Sequence, residues 1–208
     1  MKNRIPYNPS LIEPKWQKKW KDSKIYNVDL DSKDKKNYFS LTMFPYPSGD
    51  LHIGHWYAFT PADSYSRFKK MKGFNVLHTQ GFDAFGLPAE NAAISRNINP
   101  MKWTFDNIDN MRGQFNLMGN SYDWSRELIT CTPEYYKWNQ FFFLKMYEKG
   151  IAYRKNGAVW WDPVDQTTLA NEQVVEGKSE RSGADVVRKM MPQWYFKITD
   201  YAEELLEM

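Results

Sequence analysis

The sequence predicts an α/β fold with a parallel sheet, and three consecutive segments support this prediction. Residues 38–43 are rich in aromatic, β-branched and apolar residues, as in a buried strand, until Pro45 and Pro47 break the pattern. Apolar residues then recur at helical spacing over 55–72, and residues 74–78 form a second short apolar run. Strand, helix and strand in this order form a β-α-β unit, which is half of a nucleotide-binding fold.

The remainder of the chain divides by pattern. Residues 100–150 have the spacing of helices and stop at Gly150, whereas residues 151–191 have the pattern of short strands and turns. A final helix is predicted from about Thr199 to Met208. We therefore predict four segments: a basic N-terminal docking segment (1–37), the first half of the nucleotide-binding domain (38–150), a small strand-rich insertion (151–191) and a return segment (192–208).

The N-terminal segment is basic and amphipathic. Trp16 and Trp20 lie four residues apart, on one face of a short helix predicted for 14–23, and lysines occupy much of the remainder. Residues 1–36 contain ten Lys and Arg against five Asp and Glu, a net charge of +5, so the other 172 residues sum to −2 within the total of +3. Either a solvated leading segment or an RNA-facing arm accounts for this charge.

Composition excludes several classes of protein. An aromatic fraction of 17% argues against disorder, and 25% charged residues argue for a water-exposed surface. Cys131 is the only cysteine, so the chain forms no internal disulfide. No run of about 20 apolar residues is long enough to span a bilayer, and residues 1–10 lack the apolar core of a signal peptide. We therefore predict a cytoplasmic protein with no membrane partner.

The segment from Pro47 to His55 is a candidate phosphate-binding loop, because it connects a predicted strand to a predicted helix. His52 and His55 can donate hydrogen bonds to phosphate oxygens during attack on an α-phosphate, which makes them the candidate catalytic residues. Gly54 lets a nucleotide approach the backbone. Two histidines near a helix start are also common as polar surface residues. Other nucleotidyl-transferring enzymes of related fold use a similar short motif, so this loop by itself indicates adenylyl transfer without identifying a substrate.

Five blocks of sequence resemble leucyl-tRNA synthetases. They are Met43-Phe44-Pro45-Tyr46-Pro47-Ser48-Gly49 running into His52-Ile53-Gly54-His55, Gly81 to Glu90, Tyr122-Asp123-Trp124-Ser125-Arg126-Glu127 with Thr130 to Tyr136, Leu169 to Val174, and Pro192-Gln193-Trp194. The resemblance covers about residues 38–208. It implies the first half of a class I synthetase Rossmann-like nucleotide-binding fold, and an enzyme that activates leucine with ATP and Mg²⁺ and transfers it to tRNA(Leu).

The resemblance also implies specific site residues. The ATP-binding set is Pro47, Gly49, His52, Gly54 and His55. The leucine-binding set is Met43, Phe44 and Tyr46 around the side chain, with Asp83 on the ammonium group. Apolar walls and a carboxylate suit these two tasks. Taken singly, Met43 and Phe44 are also typical of a core, and Asp83 of a helix N-cap. His78 matches no functional position, and we interpret it as a satisfied histidine at a strand end.

In many relatives the insertion at 151–191 is held by zinc through cysteines. This chain has Asp162 where those relatives have cysteine, and residues 177–182 contain no thiol. A tetrahedral structural zinc site needs several Cys or His ligands, so we predict no zinc and no metal site here.

Several parts of a complete synthetase have no counterpart in this sequence. It lacks a Lys-Met-Ser-Lys-Ser-like loop, the editing domain and the anticodon-binding region, and it stops where the family inserts its editing domain. The resemblance therefore predicts an enzyme segment that is inactive or weak alone and requires a partner supplying the C-terminal half. The alternative is a non-catalytic nucleotide- or RNA-binding fragment or paralogue.

Overall fold

The structure is a computed structural model that describes residues 6–208. The chain forms two compact units, Met1–Tyr136 and Lys137–Met208, which are described separately below. The division into four segments remains a prediction, and the unit boundary between 136 and 137 coincides with none of its limits. Within residues 6–208, no helix is both long and apolar enough to cross a membrane.

The helices are α1 (Pro9–Asp22), α2 (Ile53–Met71), α3 (Leu87–Ser95), α4 (Pro100–Met118), α5 (Pro133–Glu148) and α6 (Ala202–Glu207). The strands are β1 (Asn37–Ser40), β2 (Asn75–His78), β3 (Gly81–Phe82), β4 (Leu128–Ile129), β5 (Ala152–Asp162), β6 (Thr167–Leu169), β7 (Val174–Val175), β8 (Lys178–Ser179) and β9 (Val187–Phe196). Short 3₁₀ helices cover Trp124–Arg126, Asn171–Gln173 and Ile198–Tyr201.

The predicted β-α-β unit is present in the first unit. β1 and β2 pair in parallel, with Tyr38 opposite Val76, and α2 connects them. β1 ends at Ser40, three residues earlier than predicted, because only Asn37–Ser40 has a pairing partner on β2. A second parallel pair, β3 with β4, was not predicted, since two-residue strands produce no readable periodicity.

The core of the first unit lies between α2 and α4. Its buried side chains are Phe59, Phe82, Ala84, Ile108, Met111, Phe115 and Tyr122. The aromatic rings meet edge to face, as Phe115 and Tyr122 do at a centroid distance of 5.8 Å and an interplanar angle of 89°. This packing fixes α2, whose N-terminus carries the histidine motif.

The N-terminal helix is longer than predicted. Pro9 is the first residue of α1, a position that favours proline, and Pro14 lies in the interior of the helix. It has no fully buried residue, and the Gln17 side-chain amide donates to the Leu117 carbonyl at 3.3 Å. Arg67 of α2 lies over the rings of Trp20 and Tyr26, with its guanidinium carbon 5.1 Å from each centroid.

His78 is buried, but only one side of its ring has a partner, so the prediction of a satisfied histidine was half wrong. Nδ1 lies 3.3 Å from the Ser121 hydroxyl, whereas Nε2 has no hydrogen-bond partner among the described residues. The Asp63 carboxylate accepts from the Ser121 hydroxyl at 2.6 Å and from Arg67 at 2.8 Å. Burial outweighs the attraction of Asp63 and lowers the pKa of His78 to about 4.

The second unit is built on a long antiparallel pair. β5 and β9, with 11 and 10 residues, pair along most of their lengths, and β6 flanks β5. The prediction of short strands therefore holds for β6, β7 and β8 only. The predicted limit between 191 and 192 falls inside β9. Tyr195 lies across Gly157, whose added Cβ would come within 1.8 Å of the Tyr195 hydroxyl.

Asp162 organises the turn that follows β5. Its Oδ1 accepts from the backbone N–H groups of Val164 at 2.8 Å and Asp165 at 3.1 Å, and its Oδ2 accepts from the Ser182 hydroxyl at 2.6 Å. Burial raises the pKa of Asp162, but hydrogen bonds from Ser182, Ser179 and these backbone groups outweigh that effect and lower the pKa to about 2. The carboxylate thus links two loops of this unit.

Candidate functional site

Two loops meet at the carboxyl ends of the parallel strands, as predicted. One follows β1 and the other contains Asp83, which follows β3. The backbone N–H of Asp83 donates to the Pro45 carbonyl at 3.0 Å. The segment predicted as one loop at 79–86 is interrupted by β3, which fixes the position of Asp83 immediately beyond the strand.

The two histidines form a reciprocal cap at the start of α2. Nδ1 of His52 accepts from the N–H of Gly54, and Nδ1 of His55 accepts from the N–H of His52, both at 3.1 Å. Because each Nδ1 is an acceptor, each neutral ring carries its proton on Nε2. Neither Nε2 has a partner among residues 6–208, so two N–H donors are available to a ligand.

The environment of His55 favours the neutral ring. Burial and the neighbouring His52 both lower the pKa of His55, and the two ring centroids are 4.0 Å apart. The His55 ring also stacks on Phe59 of the core, with a centroid distance of 6.0 Å and an interplanar angle of 20°. The core therefore fixes the orientation of this donor.

The remaining residues of the predicted ATP-binding set differ in their surroundings. Pro47 is fully buried and anchors the loop. Gly49 is open, with nothing within 4 Å of an added Cβ. At Gly54 an added Cβ would come within 2.8 Å of the His52 ring. A side chain at position 54 would therefore displace the His52 ring, a constraint that the sequence did not indicate.

Two amide side chains of α4 form hydrogen bonds to the loop that precedes α2. The Gln114 carbonyl oxygen accepts from the Leu51 N–H at 2.7 Å. The Asp50 carboxylate accepts from Asn110 at 2.6 Å and from the Gln114 amide at 2.9 Å. Sequence analysis missed Asn110 and Gln114, although their spacing of four residues on a predicted helix places them on one face.

Asp83 caps no helix. The residue that precedes α3 is Gly86, with φ 130°, and it makes no side-chain cap. Thr130 lies beside the Asp83 carboxylate at 3.5 Å, while the Thr130 hydroxyl accepts from the Ala84 N–H at 2.8 Å. The Asp83 side chain is half-buried and retains acceptor capacity. The structure therefore removes the N-cap alternative for Asp83.

The predicted leucine-pocket residues do not belong to the core. Met43 is 78% exposed and Tyr46 60% exposed, whereas Phe44 is half-buried. Large apolar side chains exposed together beside a polar group are typical of a binding surface. The core alternative for Met43 is therefore wrong.

Among residues 6–208, no three or more His, Cys, Asp or Glu side chains are grouped so that they could hold a metal ion. The absence of zinc remains a prediction. Asp162, at the position where cysteine was expected in relatives, is engaged in hydrogen bonds instead.

Known sequences that are similar to this chain belong to aminoacyl-tRNA synthetases. Residues 15–208 match the profile of the tRNA synthetases class I (I, L, M and V). The leucine–tRNA ligase of Thermosipho melanesiensis is 60% identical over 200 residues, which cover 96% of this chain and 24% of that protein. The leucine–tRNA ligase of Deinococcus radiodurans is 57% identical over 201 residues, covering 97% of this chain and 24% of that protein. The chain spans about a quarter of the length of these curated relatives.

Solved structures that are similar to this chain are also aminoacyl-tRNA synthetases. A LeuRS–tRNA–LeuAMS ternary complex from Agrobacterium radiobacter K84 superposes with a TM-score of 0.88 at 44% identity, covering 97% of this chain and 26% of that one. A methionyl-tRNA synthetase of Mycobacterium tuberculosis in complex with methionyl-adenylate has a TM-score of 0.69 at 23% identity, over 83% of this chain and 34% of that one. The second likeness supports the fold alone.

Proposed function

We propose, from the premise that this chain belongs to the class I tRNA synthetases, that it supplies the part of an active site that binds leucine and ATP. The reaction would be formation of leucyl-adenylate, followed by transfer of leucine to tRNA(Leu). The observation that carries this proposal is the reciprocal cap, which leaves Nε2 of both His52 and His55 free to donate.

In the proposed reaction, a carboxylate oxygen of leucine attacks the α-phosphorus of ATP. A bond forms between that oxygen and phosphorus, the bond from phosphorus to the bridging oxygen breaks, and pyrophosphate leaves with the electron pair. Charge on the phosphate oxygens is redistributed in the transition state, and the two Nε2–H groups are donors whose orientation is already fixed. Pro47, Gly49 and Gly54 shape the loop that the nucleotide contacts.

The leucine side of the site would consist of Met43, Phe44 and Tyr46 around the side chain and Asp83 at the ammonium group. The Thr130 hydroxyl lies 3.5 Å from the Asp83 carboxylate. A charge-assisted hydrogen bond from the ammonium group would fix the orientation of the substrate, and with it the direction of carboxylate attack. The exposed apolar side chains would be covered by the leucine side chain when it binds.

Mg²⁺ enters this proposal only with ATP. The described residues offer no grouped set of acidic ligands, and Mg²⁺ is commonly bound through substrate phosphates with one or two carboxylates. We derive no step through the ion. A segment from the remainder of the enzyme, in the same chain or a separate one, would complete the site around pyrophosphate.

The test is leucine-dependent exchange of pyrophosphate into ATP. We would measure the 208-residue chain alone and together with a separately expressed segment corresponding to the remainder of a leucine–tRNA ligase. Exchange in the mixture, lost in Asp83→Ala, is the expected result. Asp83→Asn serves as the matched variant, because it keeps the shape and removes the charge. Absence of exchange in the mixture, with both chains folded by circular dichroism, would favour a non-catalytic nucleotide- or RNA-binding fragment.

A further inference from the structure

A pocket of about 530 Å³ lies in the first unit, with α1 and the segment after it on one side and the C-terminal part of α4 and the segment after it on the other. None of the histidine, proline or glycine residues of the proposed ATP site lines it. Its walls carry aromatic, amide and cationic side chains in one place. Its lining includes Trp20, Lys21, Tyr26, Asn116, Asn120 and Trp124.

The pocket is preformed, since hydrogen bonds connect its two walls. Gln17 donates to the Leu117 carbonyl at 3.3 Å, and the Asn27 amide lies 3.4 Å from the Ser125 hydroxyl. The backbone N–H of Val28 donates to the buried Asp123 carboxylate at 2.9 Å. These links fix the separation of the walls, so a ligand would not have to open the pocket.

The aromatic side chains favour a planar ligand. Trp20 and Tyr26 form an edge-to-face pair with centroids 6.0 Å apart, and Tyr122 and Trp124 form another at 5.6 Å. Arg67 lies over both rings of the first pair and donates to the Tyr26 hydroxyl. Tyr122 belongs to the core and supports Trp124, so the rings that a nucleobase could stack on are the half-buried Trp20, Tyr26 and Trp124.

Two amides give the pocket polar recognition groups. Asn116 and Asn120 line it, and neither side chain forms a hydrogen bond to any of residues 6–208. Each amide offers donors and an acceptor, which is the combination that the edge of a heteroaromatic base requires.

The charges at the pocket favour an anion. Lys18 is paired with Asp22 at 2.6 Å, and Arg112 is paired with Glu127 at 2.8 Å. Lys21 forms no ion pair within the described part of the chain. One lysine of the pocket is therefore free to bind a phosphate.

We propose that this pocket binds one nucleoside monophosphate unit, with the base between the aromatic and amide side chains and the phosphate at Lys21. The volume is within the range of small-ligand sites. The same chemistry is offered by a free mononucleotide and by a nucleotide within single-stranded RNA. This assignment gives the basic N-terminal segment a role as an RNA-facing or nucleotide-binding element, and it does not depend on the proposed adenylation.

The experiment is equilibrium dialysis of labelled AMP against the 208-residue chain carrying His55→Ala, which weakens binding at the other candidate nucleotide site. Lys21→Gln is expected to weaken AMP binding about fivefold, and removing the phosphate, by using adenosine, should have the same effect. The losses of affinity from Lys21→Gln and from replacing AMP by adenosine should not add, because both remove the contact between Lys21 and the phosphate. Ribose 5-phosphate, which has no base, should show no measurable binding.

Lys15→Gln is the matched control, since Lys15 lies on the same helix but does not line the pocket. Equal weakening by Lys15→Gln and Lys21→Gln would overturn the proposal, because it would indicate general attraction by the basic segment. Undiminished AMP binding in Lys21→Gln, or no AMP binding to the parent, would also overturn it. A trinucleotide such as ApApA identifies the source: tighter binding than AMP, still sensitive to Lys21→Gln, indicates RNA.

Discussion

The loop that carries His52 and His55 and the turn that carries Asp162 are built from the same type of bond. In each, a side chain accepts hydrogen bonds from backbone N–H groups close by in sequence. His52 accepts from Gly54 at 3.1 Å, and Asp162 accepts from Val164 at 2.8 Å and from Asp165 at 3.1 Å. Local bonds therefore shape the backbone in both places.

The two places differ in what remains of the side chain. The second carboxylate oxygen of Asp162 accepts from the Ser182 hydroxyl at 2.6 Å, so both of its oxygens are engaged within the protein. The second ring nitrogen of each histidine has no partner among the described residues. Asp162 is thus a structural group. Each histidine, in contrast, uses Nδ1 in the cap and leaves Nε2 available to a ligand. This difference distinguishes a candidate catalytic loop from a structural turn.

The largest effect should come from breaking the histidine loop. We expect His55→Ala to reduce leucine-dependent exchange about 10²- to 10³-fold in the presence of the complementing segment, because a preoriented donor is lost. The change in unfolding free energy should stay near 1 kcal/mol, the value of a lost helix cap. Lys15→Gln, on the exposed α1, is the control. If exchange falls only in proportion to the fraction of folded protein, the distinction between a catalytic loop and a structural turn is contradicted.

A pH titration sharpens the comparison within the first unit, because His78 is buried whereas His52 is exposed. The pKa of His78 is lowered from 6.5 to about 4, so the unfolded chain binds more protons between these values. Stability should therefore fall as pH falls from 6.5 to 4, by about 3 kcal/mol from this group. Urea unfolding of the parent and of His78→Gln measures this. An equal pH dependence in both would contradict the assignment.

Breaking the Asp162 turn should affect stability rather than chemistry. Asp162→Ala leaves two N–H groups and the Ser182 hydroxyl without their acceptor, and we expect a loss of about 2 kcal/mol in unfolding free energy. Asp162→Asn retains one acceptor oxygen and should lose about half as much. Because the pKa of Asp162 is lowered to about 2, its contribution is present above pH 3.8 and is lost as pH falls toward 2. Denaturant titrations at several pH values check both statements.

The smallest of these effects should come from Gly54→Ala. An added Cβ would lie 2.8 Å from the His52 ring, which must rotate and give up its bond to residue 54. We expect about a tenfold loss of exchange, since one of the two donors is displaced without being removed. Gly49→Ala is the matched control, because an added Cβ there meets nothing within 4 Å. An equal loss in both variants would indicate that the loop simply requires flexibility.

The sequence by itself determined the family, the β-α-β order and the candidate residues. Strong periodicity made α2 and the two strands around it readable, and the match to class I tRNA synthetases confirms the family. The predicted parallel pairing of β1 and β2 is confirmed as well. Local patterns sufficed here because each of these features depends on residues that are close together in the chain.

Only the tertiary structure decided which atoms of the candidate residues are available. Three findings depend on contacts between distant segments: Asp83 caps no helix, Met43 is exposed, and His78 is buried with no partner for Nε2 among the described residues. The same is true of the pocket beside Lys21, whose walls lie about a hundred residues apart in sequence. Sequence spacing specifies the face of a helix or strand on which a residue lies. What covers that face is set by packing.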